Sequence, residues 1–290
     1  MIAISVIVPF YGERESLHRC LQSLGRQTLD KNDFEVIIVN NDPDRPLVLP
    51  SGILYPNVTV VDEQRAGSYA ARNRGVQHAR GRWLAFTDAD CIADEKWLET
   101  GLQCVSRHEP MGGHIQPLAG NPPSLAEQYD TLFGLNQKCY VEERGFAATA
   151  NVFVSREIFD KVGPFAASLR SGGDLEWCRR ASLAGHRVAY CPESIVFHPA
   201  RTGLRQLVSR TLRIQGGLYA LQRDFQLEFP RGVVRNAIDL FLPRLYIEKI
   251  LTLKKSGDER WWHLYALACV LNGFALVERW RLRLGGTPLR

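Results

Sequence analysis

Trp83-Leu84-Ala85-Phe86-Thr87-Asp88-Ala89-Asp90 joins an apolar run to two carboxylates. The run predicts a buried strand that ends at Thr87. Because alternate residues of an extended chain share a face, Asp88 and Asp90 point the same way from the strand end. Open α/β sheets bind ligands at that edge, and paired acids repel each other unless a cation lies between them. The stretch therefore predicts a metal site suited to neutralising a diphosphate, although two solvated acids in a turn remain the alternative.

Strands and helices alternate on the N-terminal side of this stretch. Apolar runs predict strands at 4–9, 35–39 and 57–61, and a helical period predicts helices at 15–24 and 68–79. Alternation of this kind is typical of right-handed βαβ crossovers. The sequence therefore predicts an α/β fold with a Rossmann-like, mainly parallel sheet flanked by helices.

The region after residue 110 is less regular. It predicts one helix over about 124–140, a strand at 150–154 and a helix whose N-cap is Ser155. A further helix opens at 171–174 and ends at Gly185. Two short strands are predicted at 188–191 and 194–198.

Charge is distributed unevenly along the 290 residues. Residues 201–290 hold 16 Lys and Arg against 7 Asp and Glu, whereas residues 1–200 hold 20 against 24. This asymmetry predicts two domains, at 1–200 and 201–290, with different partners. The basic charges of the second domain lie among long apolar stretches, which argues against a nucleic-acid partner.

The seven cysteines are scattered and form no Cys-x-x-Cys pair. The sequence therefore predicts reduced thiols in a cytoplasmic protein rather than a disulfide framework or a zinc ribbon. The first residues enter a strand-like run and lack a basic n-region, so no signal peptide is predicted.

The C-terminal region has the pattern of a membrane-associating extension. Residues 204–225 alternate apolar residues with arginines, which predicts a basic amphipathic helix. Apolar stretches follow at 233–253 and 261–277, the second flanked by tryptophans and basic residues. Attachment to a membrane surface is the favoured interpretation. A true span over 261–277 and a helical hairpin packed on the first domain are the alternatives.

A set of motifs occurs in a fixed order along residues 4–198. The motifs are Val6-Ile7-Val8-Pro9-Phe10-Tyr11-Gly12-Glu13, Val39-Asn40-Asn41-Asp42, the run 66–75, Phe86-Thr87-Asp88-Ala89-Asp90-Cys91, Thr149-Ala150-Asn151, Gly163-Pro164-Phe165, Gly173-Asp174-Leu175-Glu176 and His198. Each motif is weak alone, but their order and spacing are specific. In this order and spacing the chain resembles the family 2 glycosyltransferases of GT-A fold.

The resemblance implies a divalent-metal site and a general base. Asp90 is expected to ligate Mn²⁺ or Mg²⁺ directly, with His198 as a second ligand, and Asp88 is expected to reach the ribose or to hold the ion through water. Asp174 is expected to deprotonate the acceptor hydroxyl in an inverting transfer. The alternatives are a helix-capping role for Asp174 and a structural role for His198. The family usually has Glu before this aspartate, where Gly173 stands here, and Glu176 is a weaker candidate for the base.

The resemblance also implies a nucleotide pocket at the ends of the first two strands. Asn40 and Asn41 stand where the family usually has an Asp pair, so the base that the pocket accepts is open. Arg72 is expected near the diphosphate, with a surface helix charge as its alternative. The expected nucleotide-sugar contacts are Pro9, Phe10, Tyr11, Glu13, Asn41, Asp42, Arg72 and Asp88.

Together these features predict sugar transfer from a nucleotide-diphosphate donor to a saccharide or lipid-linked acceptor in bacterial-type glycan assembly, at the inner face of a cell membrane. The segment 200–260 lacks the Gln-x-x-Arg-Trp motif of processive synthases, which favours addition of a single sugar. A sugar-1-phosphate nucleotidyltransferase and a catalytically inactive GT-A-like binding module are the alternatives.

Overall fold

The computed structural model describes residues 2–42, 44–49, 57–105, 110–227, 244–255 and 259–288. Within them, the strands are β1 (Ile4–Phe10), β2 (Phe34–Asn40), β3 (Val58–Asp62), β4 (Trp83–Thr87), β5 (Ile92–Ala93), β6 (Met111–Leu118), β7 (Asn151–Ser155) and β8 (Ala189–Pro199). The helices are α1 (Arg14–Gly25), α2 (Ser68–His78), α3 (Trp97–Val105), α4 (Leu125–Phe133), α5 (Gln137–Arg144), α6 (Arg156–Val162), α7 (Gly173–Leu183), α8 (Leu204–Phe225), α9 (Arg244–Lys255) and α10 (Trp261–Arg283).

The strands form one sheet in the order β3-β2-β1-β4-β7-β6-β8-β5. The first four strands in this order are parallel to one another. The β4–β7, β6–β7 and β5–β8 pairs are antiparallel. The predicted α/β fold, a mainly parallel sheet flanked by helices, is confirmed. The antiparallel pairs involve strands that follow β4 in the sequence, mostly from the less regular region after residue 110.

Burial of the central strands explains their continuous apolar sequences. Strands β2 and β4 are buried along their whole length, as expected for strands covered on both faces. Helix α2 packs closely on β1, since a Cβ atom at Gly75 would lie 2.6 Å from Cγ2 of Ile7. Glycine at this position therefore lets the helix approach the sheet.

The chain divides into two compact units. The first consists of 1–117, 136–169 and 173–199, and the second of 118–135, 170–172 and 200–290. The core of the second unit joins α4, α8 and α10 through Ala126, Tyr129, Leu207, Leu264, Ala268 and Leu271. The second unit therefore includes two segments that the predicted division at residue 200 leaves in the first domain.

The single helix expected over 124–140 is instead two helices, α4 and α5. Ser124 begins the first with a capping box, and Asn136 begins the second by accepting a hydrogen bond from the Cys139 amide at 3.1 Å. Gly134 ends α4, so a new cap residue interrupts the apparent helical period.

The two strands expected at 188–191 and 194–198 are one strand, β8, which continues through Pro192. Helix α3 and strand β6 were not identified from the sequence. Ser155 caps α6 as predicted, with its hydroxyl accepting a hydrogen bond from the Ile158 amide at 3.2 Å.

The prediction of reduced thiols is wrong for Cys104 and Cys191. These two residues form a disulfide that joins α3 to β8, with their Cα atoms 6.4 Å apart. They are separated by 87 positions in the sequence, so only the packing of α3 against β8 brings them together. The other five cysteines are free thiols.

The amphipathic helix predicted at 204–225 is present as α8, with Leu207 and Leu221 buried. Most of the apolar stretch 233–253, including Pro243, lies outside the described residues, and α9 covers its end. None of the helices in the described ranges combines the length and the apolar character that a membrane crossing requires.

Candidate active site

The carboxyl ends of the parallel strands meet at one edge of the sheet. Phe10 at the end of β1 is level with Asn40 of β2, and Asn40 is level with Asp62 of β3. On the other side of β1, Ile7 is level with Phe86, so Asp88 follows β4 near the same edge. The register thus brings together the segments that the sequence assigned to the nucleotide pocket.

Asp90 and His198 converge because β5 pairs with β8. Ile92 is level with Phe197, which places the segment before β5 beside the residue after Phe197. The distance between Oδ1 of Asp90 and Nε2 of His198 is 3.9 Å. Two metal–ligand bonds of about 2.1 Å each can span up to about 4.2 Å, so both atoms can bind one ion.

Hydrogen bonding leaves the correct nitrogen of His198 free for a metal. The Nδ1 atom lies 2.9 Å from the carbonyl oxygen of Pro199, which can only accept, so Nδ1 carries the proton. The Nε2 atom, facing Asp90, then has its lone pair available. A carboxylate and a neutral imidazole form a donor set that fits Mn²⁺ and, less well, Mg²⁺.

Cys91 is the third residue whose ligand atom lies within 4.8 Å of those of Asp90 and His198. Its thiol is fully buried, and burial, followed by the charges of Asp88 and Asp90, raises its pKa well above the ordinary value. A protonated, buried thiol is a poor ligand for a hard cation, so the oxygen and nitrogen donors remain the candidates.

Arg72 is buried in α2 and forms an ion pair with Asp88. Its guanidinium also lies 5.6 Å from the centre of the Tyr69 ring, and its Nε atom is buried without a hydrogen-bond partner. The alternative of a surface helix charge is therefore wrong for Arg72. The ion pair fixes the orientation of Asp88 at the end of β4.

Asp174 lies in the first turn of α7 and accepts two hydrogen bonds through Oδ1. The donors are the hydroxyl of Tyr69 at 3.3 Å and the amide of Leu175 at 2.9 Å. Burial raises the pKa of Asp174, opposed by the Leu175 amide, the charge of Arg72 and the Tyr69 hydroxyl. A carboxylate with a raised pKa is a stronger base than an exposed one. The neighbouring candidate Glu176 is buried and paired with Arg180 at 2.7 Å.

Asn41 has a positioning role that the sequence did not indicate. Its amide donates to the carbonyls of Glu63 and Arg65 at 2.8 and 2.9 Å, and its oxygen accepts from the Gly67 amide at 2.8 Å. These bonds hold the loop that leads into α2. Asn41 thereby ties the end of β2 to the helix that carries Arg72.

The other predicted nucleotide contacts lie at the carboxyl ends of β1 and β2, and their side chains differ in solvent exposure. Tyr11 is 77% exposed and Glu13 is also exposed, whereas Pro9 and Asp42 are half-buried and Phe10 is buried. Exposed aromatic and carboxylate groups at a strand end are available to a ligand.

Tyr69 was missed as a functional residue. It is 5% exposed and contacts both Asp174 and Arg72. Its place in the first turn of α2, three residues before Arg72, puts the two side chains on one helix face, which is the signal that could have identified it.

Comparison with known proteins identifies the family. Residues 5–171, more than half of the chain, match the family model described as Glycosyl transferase family 2. Over 220 residues the chain is 34% identical to Glycosyltransferase AglE of Haloferax volcanii, covering 74% of this chain and 72% of that protein. The chain belongs to glycosyl transferase family 2. It is an enzyme of the glycosyltransferase class, which sets aside the nucleotidyltransferase and inactive-module alternatives.

Another relative of this family 2 glycosyltransferase is the Glucosyl-dolichyl phosphate glucuronosyltransferase of Haloferax volcanii. It is 23% identical over 271 residues, which cover 87% of this chain and 82% of that protein.

Two solved structures share the fold of this family 2 glycosyltransferase. Mannosyltransferase PcManGT from Pyrobaculum calidifontis, in complex with GDP-Man and Mn²⁺, has a TM-score of 0.56 at 18% identity and covers 97% of this chain and 79% of its own. S. aureus TarS 1–349 in complex with UDP-GlcNAc has a TM-score of 0.54 at 16% identity, with coverages of 98% and 93%. These neighbours confirm the GT-A fold.

Proposed function

We propose that this glycosyltransferase is an inverting, metal-dependent enzyme. It transfers a sugar from a nucleoside-diphosphate donor to a hydroxyl of a saccharide or lipid-linked acceptor in bacterial-type glycan assembly. The observation that carries the proposal is a shared helix: α2 contacts Asp88 through Arg72 and Asp174 through Tyr69. One rigid element thus supports both the motif expected to bind the donor and the expected base.

The donor side of the proposed reaction uses the strand-end residues. A divalent ion, when held by Asp90 and His198, supplies a Lewis acid that offsets the charge of the departing diphosphate. Asp88, oriented by Arg72, would contact the ribose or help to hold the ion through water. The remaining contacts to the nucleotide sugar are Pro9, Tyr11, Glu13, Asn41, Asp42 and Arg72. The PcManGT complex, which contains Mn²⁺ beside GDP-Man, supports a divalent ion in this fold.

The acceptor side depends on Asp174. Its carboxylate accepts the proton of the acceptor hydroxyl as that oxygen forms a bond to the anomeric carbon. The bond from that carbon to the diphosphate oxygen breaks on the opposite face, so the configuration inverts. The raised pKa of Asp174 brings its basicity closer to neutral pH.

A lipid-linked acceptor at a membrane surface completes the proposal. The relative named for glucosyl-dolichyl phosphate supports a lipid-linked acceptor, and the basic, apolar 201–290 region supports peripheral attachment to anionic lipid. The Cys104–Cys191 disulfide weighs against a strongly reducing compartment, so the cytoplasmic, inner-face location stays a prediction.

Nucleotide release from a panel of nucleoside-diphosphate sugars, with Mn²⁺ or with a chelator, tests the proposal. We expect metal-dependent release from one donor and, with an acceptor, a product of inverted anomeric configuration by NMR. Asp174→Asn should bind donor normally and lose transfer by about 10²–10⁴-fold. Metal-independent transfer, retained configuration or full activity of Asp174→Asn would each contradict the proposal.

A further inference from the structure

One face of α8 carries a cluster of arginines beside a cleft. Arg205, Arg210 and Arg213, with Arg201 just before the helix, line a cavity of about 410 Å³ together with Gln206 and Ser209. Arg210 and Arg213 are three residues apart and so lie on one face of the helix, and Arg205 lines the same cavity from nearer its N-terminal end. We call this feature the arginine cleft. It lies entirely within the second unit.

The positive charge of the arginine cleft is only partly compensated. Arg201 pairs with buried Asp130 at 2.9 Å. Burial lowers the pKa of Arg201, and the charge of Asp130 opposes this effect. The charges of Arg210 and Arg213 lower the pKa further, which means that these cations are close enough to repel Arg201. Among the residues that the structure describes, no carboxylate pairs with Arg205, Arg210 or Arg213. Among the described residues, therefore, four arginines line the cleft and one carboxylate, that of Asp130, pairs with one of them.

The helix itself adds to this imbalance. The first turn of α8 contains no acidic residue, although the N-terminal end of a helix carries partial positive charge. Arg205 lies in that turn. An anion bound in the cleft would relieve both the mutual repulsion of the arginines and their repulsion from the helix end.

Guanidinium geometry and charge indicate the ligand. Arginine binds phosphate oxygens through two parallel hydrogen bonds. A terminal phosphate carries about 1.5 to 2 negative charges and three free oxygens, and a diphosphate carries more, which suits the combined charge of Arg205, Arg210 and Arg213. The phosphodiester of an ordinary phospholipid has a single charge and two free oxygens, so it matches the cleft less well.

Exposed apolar residues of the same unit indicate that the phosphate is carried by a lipid. Leu204, beside Arg205, is half exposed, and α10 exposes two tryptophans near its ends, as at membrane interfaces. Most of the large exposed apolar residues in the described chain belong to this unit: Leu118, Leu204, Leu251, Trp262, Val270, Phe274, Val277, Trp280 and Leu284.

We propose that the arginine cleft binds the terminal phosphate or diphosphate of a lipid. The cleft is made of residues other than those assigned to the donor and the base. The inference rests on the proposed function only in naming a lipid-linked acceptor as the natural source of a diphosphate, which keeps one negative charge on each phosphorus when the lipid and the sugar esterify its two ends.

Vesicle binding by the full-length protein tests this site. Three phosphatidylcholine vesicle preparations are compared: one plain, one containing phosphatidic acid, which has a terminal phosphate, and one containing phosphatidylglycerol at matched surface charge. We expect preferential binding to the phosphatidic acid vesicles. Equal binding to both charged vesicles would overturn the terminal-phosphate assignment. Soluble pyrophosphate that binds as tightly as the vesicles would overturn the lipid assignment.

Matched variants distinguish specific phosphate binding in the arginine cleft from general attraction between basic residues and anionic lipid. R205Q/R210Q/R213Q should bind phosphatidic acid vesicles at least about tenfold more weakly. The control R223Q/K254Q/K255Q removes the same charge elsewhere in the second unit. It should weaken binding to both kinds of charged vesicle alike, by less than the cleft variant does, and should keep the preference for phosphatidic acid. Equal losses would contradict a specific site. The lysine variant R205K/R210K/R213K keeps the charge and should still lose the preference for the terminal phosphate.

Two further measurements distinguish failure of the cleft proposal from misfolding of the variant and from failure of the proposed function. Thermal unfolding should show that the glutamine variant is folded and no less stable than wild type, because like charges have been removed. Donor hydrolysis by wild type without lipid tests the proposed function separately. If the protein prefers phosphatidic acid vesicles but hydrolyses no donor, the proposed function is wrong and the phosphate site in the arginine cleft stands. If it hydrolyses a donor but shows no vesicle preference, only the phosphate site is wrong.

Discussion

The ring of Tyr69 lies against Gly173 so closely that a Cβ atom at position 173 would come within 2.7 Å of Cε2 of the ring. This contact accounts for the glycine that stands where the family usually has Glu. The Tyr69 hydroxyl then reaches Oδ1 of the next residue, Asp174, at 3.3 Å. Tyrosine at 69 and glycine at 173 are thus matched to each other, and together they set the position of the proposed base.

Gly173→Ala tests this matched pair. The added methyl group must displace the Tyr69 ring, so we expect a loss of about 1–3 kcal/mol in the free energy of unfolding. The transfer rate should also fall while donor affinity stays unchanged, because the hydrogen bond to Asp174 is disturbed. Denaturant unfolding and steady-state kinetics measure the two effects.

Two comparisons make the Gly173 prediction specific. Gly203→Ala adds a methyl group where no atom lies within 4 Å and φ is −141°, so it should cost only the smaller penalty of replacing glycine at the N-cap of α8. In the double variant Tyr69→Ala with Gly173→Ala, the smaller side chain leaves room for the methyl group, and the two costs should not add. Strict additivity would show that the ring is not what restricts position 173.

Asp174→Asn should make the protein more stable at neutral pH while it abolishes transfer. Burial raises the pKa of Asp174 in the folded state above the unfolded value of about 3.9. The ionisation of Asp174 therefore destabilises the fold as the pH rises from the unfolded pKa through the folded pKa. The amide removes this cost and can still accept from Tyr69 and Leu175. The melting temperatures of the two proteins should therefore agree below about pH 4 and separate as pH rises toward neutrality. A variant that is less stable than wild type at pH 7 would contradict the assigned burial cost.

The wild-type transfer rate should also depend on the ionisation of Asp174. Because the base must be deprotonated and its pKa is raised, activity should increase with pH across a range above that of an ordinary carboxyl group. A pH–rate profile under saturating donor measures this. Activity already at its maximum near pH 4 would remove Asp174 from the base role.

His198→Ala and Asp90→Ala should each weaken Mn²⁺ binding, because their ligand atoms lie 3.9 Å apart and can share one ion. We expect each variant to lose at least about tenfold in Mn²⁺ affinity. Isothermal titration calorimetry or electron paramagnetic resonance of Mn²⁺ measures the affinity. The control Glu95→Gln removes an exposed carboxylate close in sequence to Asp90 and should bind Mn²⁺ normally. Unchanged Mn²⁺ affinity in His198→Ala would exclude it as a ligand.

Glu35→Gln should destabilise the N-terminal part of the sheet without changing the site. The buried Glu35 carboxylate accepts hydrogen bonds from the Ser5 hydroxyl at 2.7 Å and from the Arg80 amide and Nε at 2.6 and 2.8 Å. We expect a loss of about 3 kcal/mol at pH 7, because each of the three hydrogen bonds falls from about 1.5–3 kcal/mol with a charged partner to about 0.5–1.5 kcal/mol with a neutral one.

The effect of Glu35→Gln should depend on pH in the opposite sense to that of Asp174→Asn. Burial alone would raise the pKa of Glu35, but the Ser5 and Arg80 hydrogen bonds outweigh it and lower the pKa. The stabilisation is present above the unfolded value of about 4.3 and is lost as pH falls through the folded pKa. Urea unfolding at several pH values, with exposed Glu142→Gln as control, should show the difference shrinking in acid.

Local sequence was sufficient to predict those strands and helices whose formation depends mainly on their own residues. The continuous apolar runs of β1, β2 and β4 predict buried strands because such strands must be covered on both faces. The Ser155 cap and the α8 period were also predicted correctly, since both depend on residues within one or two turns. The helix expected over 124–140 was wrong because the caps of Gly134 and Asn136 compete with the apolar period.

The individual site motifs were also visible in the sequence, but their contacts were not. The Asp88–Asp90 pair follows its strand as expected, yet the Arg72 side chain that orients Asp88 was assigned only to the donor. Tyr69 was absent from the predicted site, because its partner Asp174 is 105 positions away. Which positive side chain pairs with which acid depends on helix packing, and that packing has no local signature.

The sequence by itself determined the α/β class, the carboxylates at the strand ends and the basic, apolar character of the C-terminal region, because periodicity and composition act over short stretches of chain. Only the tertiary structure decided that Arg72 orients Asp88, that Tyr69 restricts position 173 and that Cys104 joins Cys191. Each of these depends on the register and packing of elements distant in sequence, where burial and charge repulsion are properties of the folded chain.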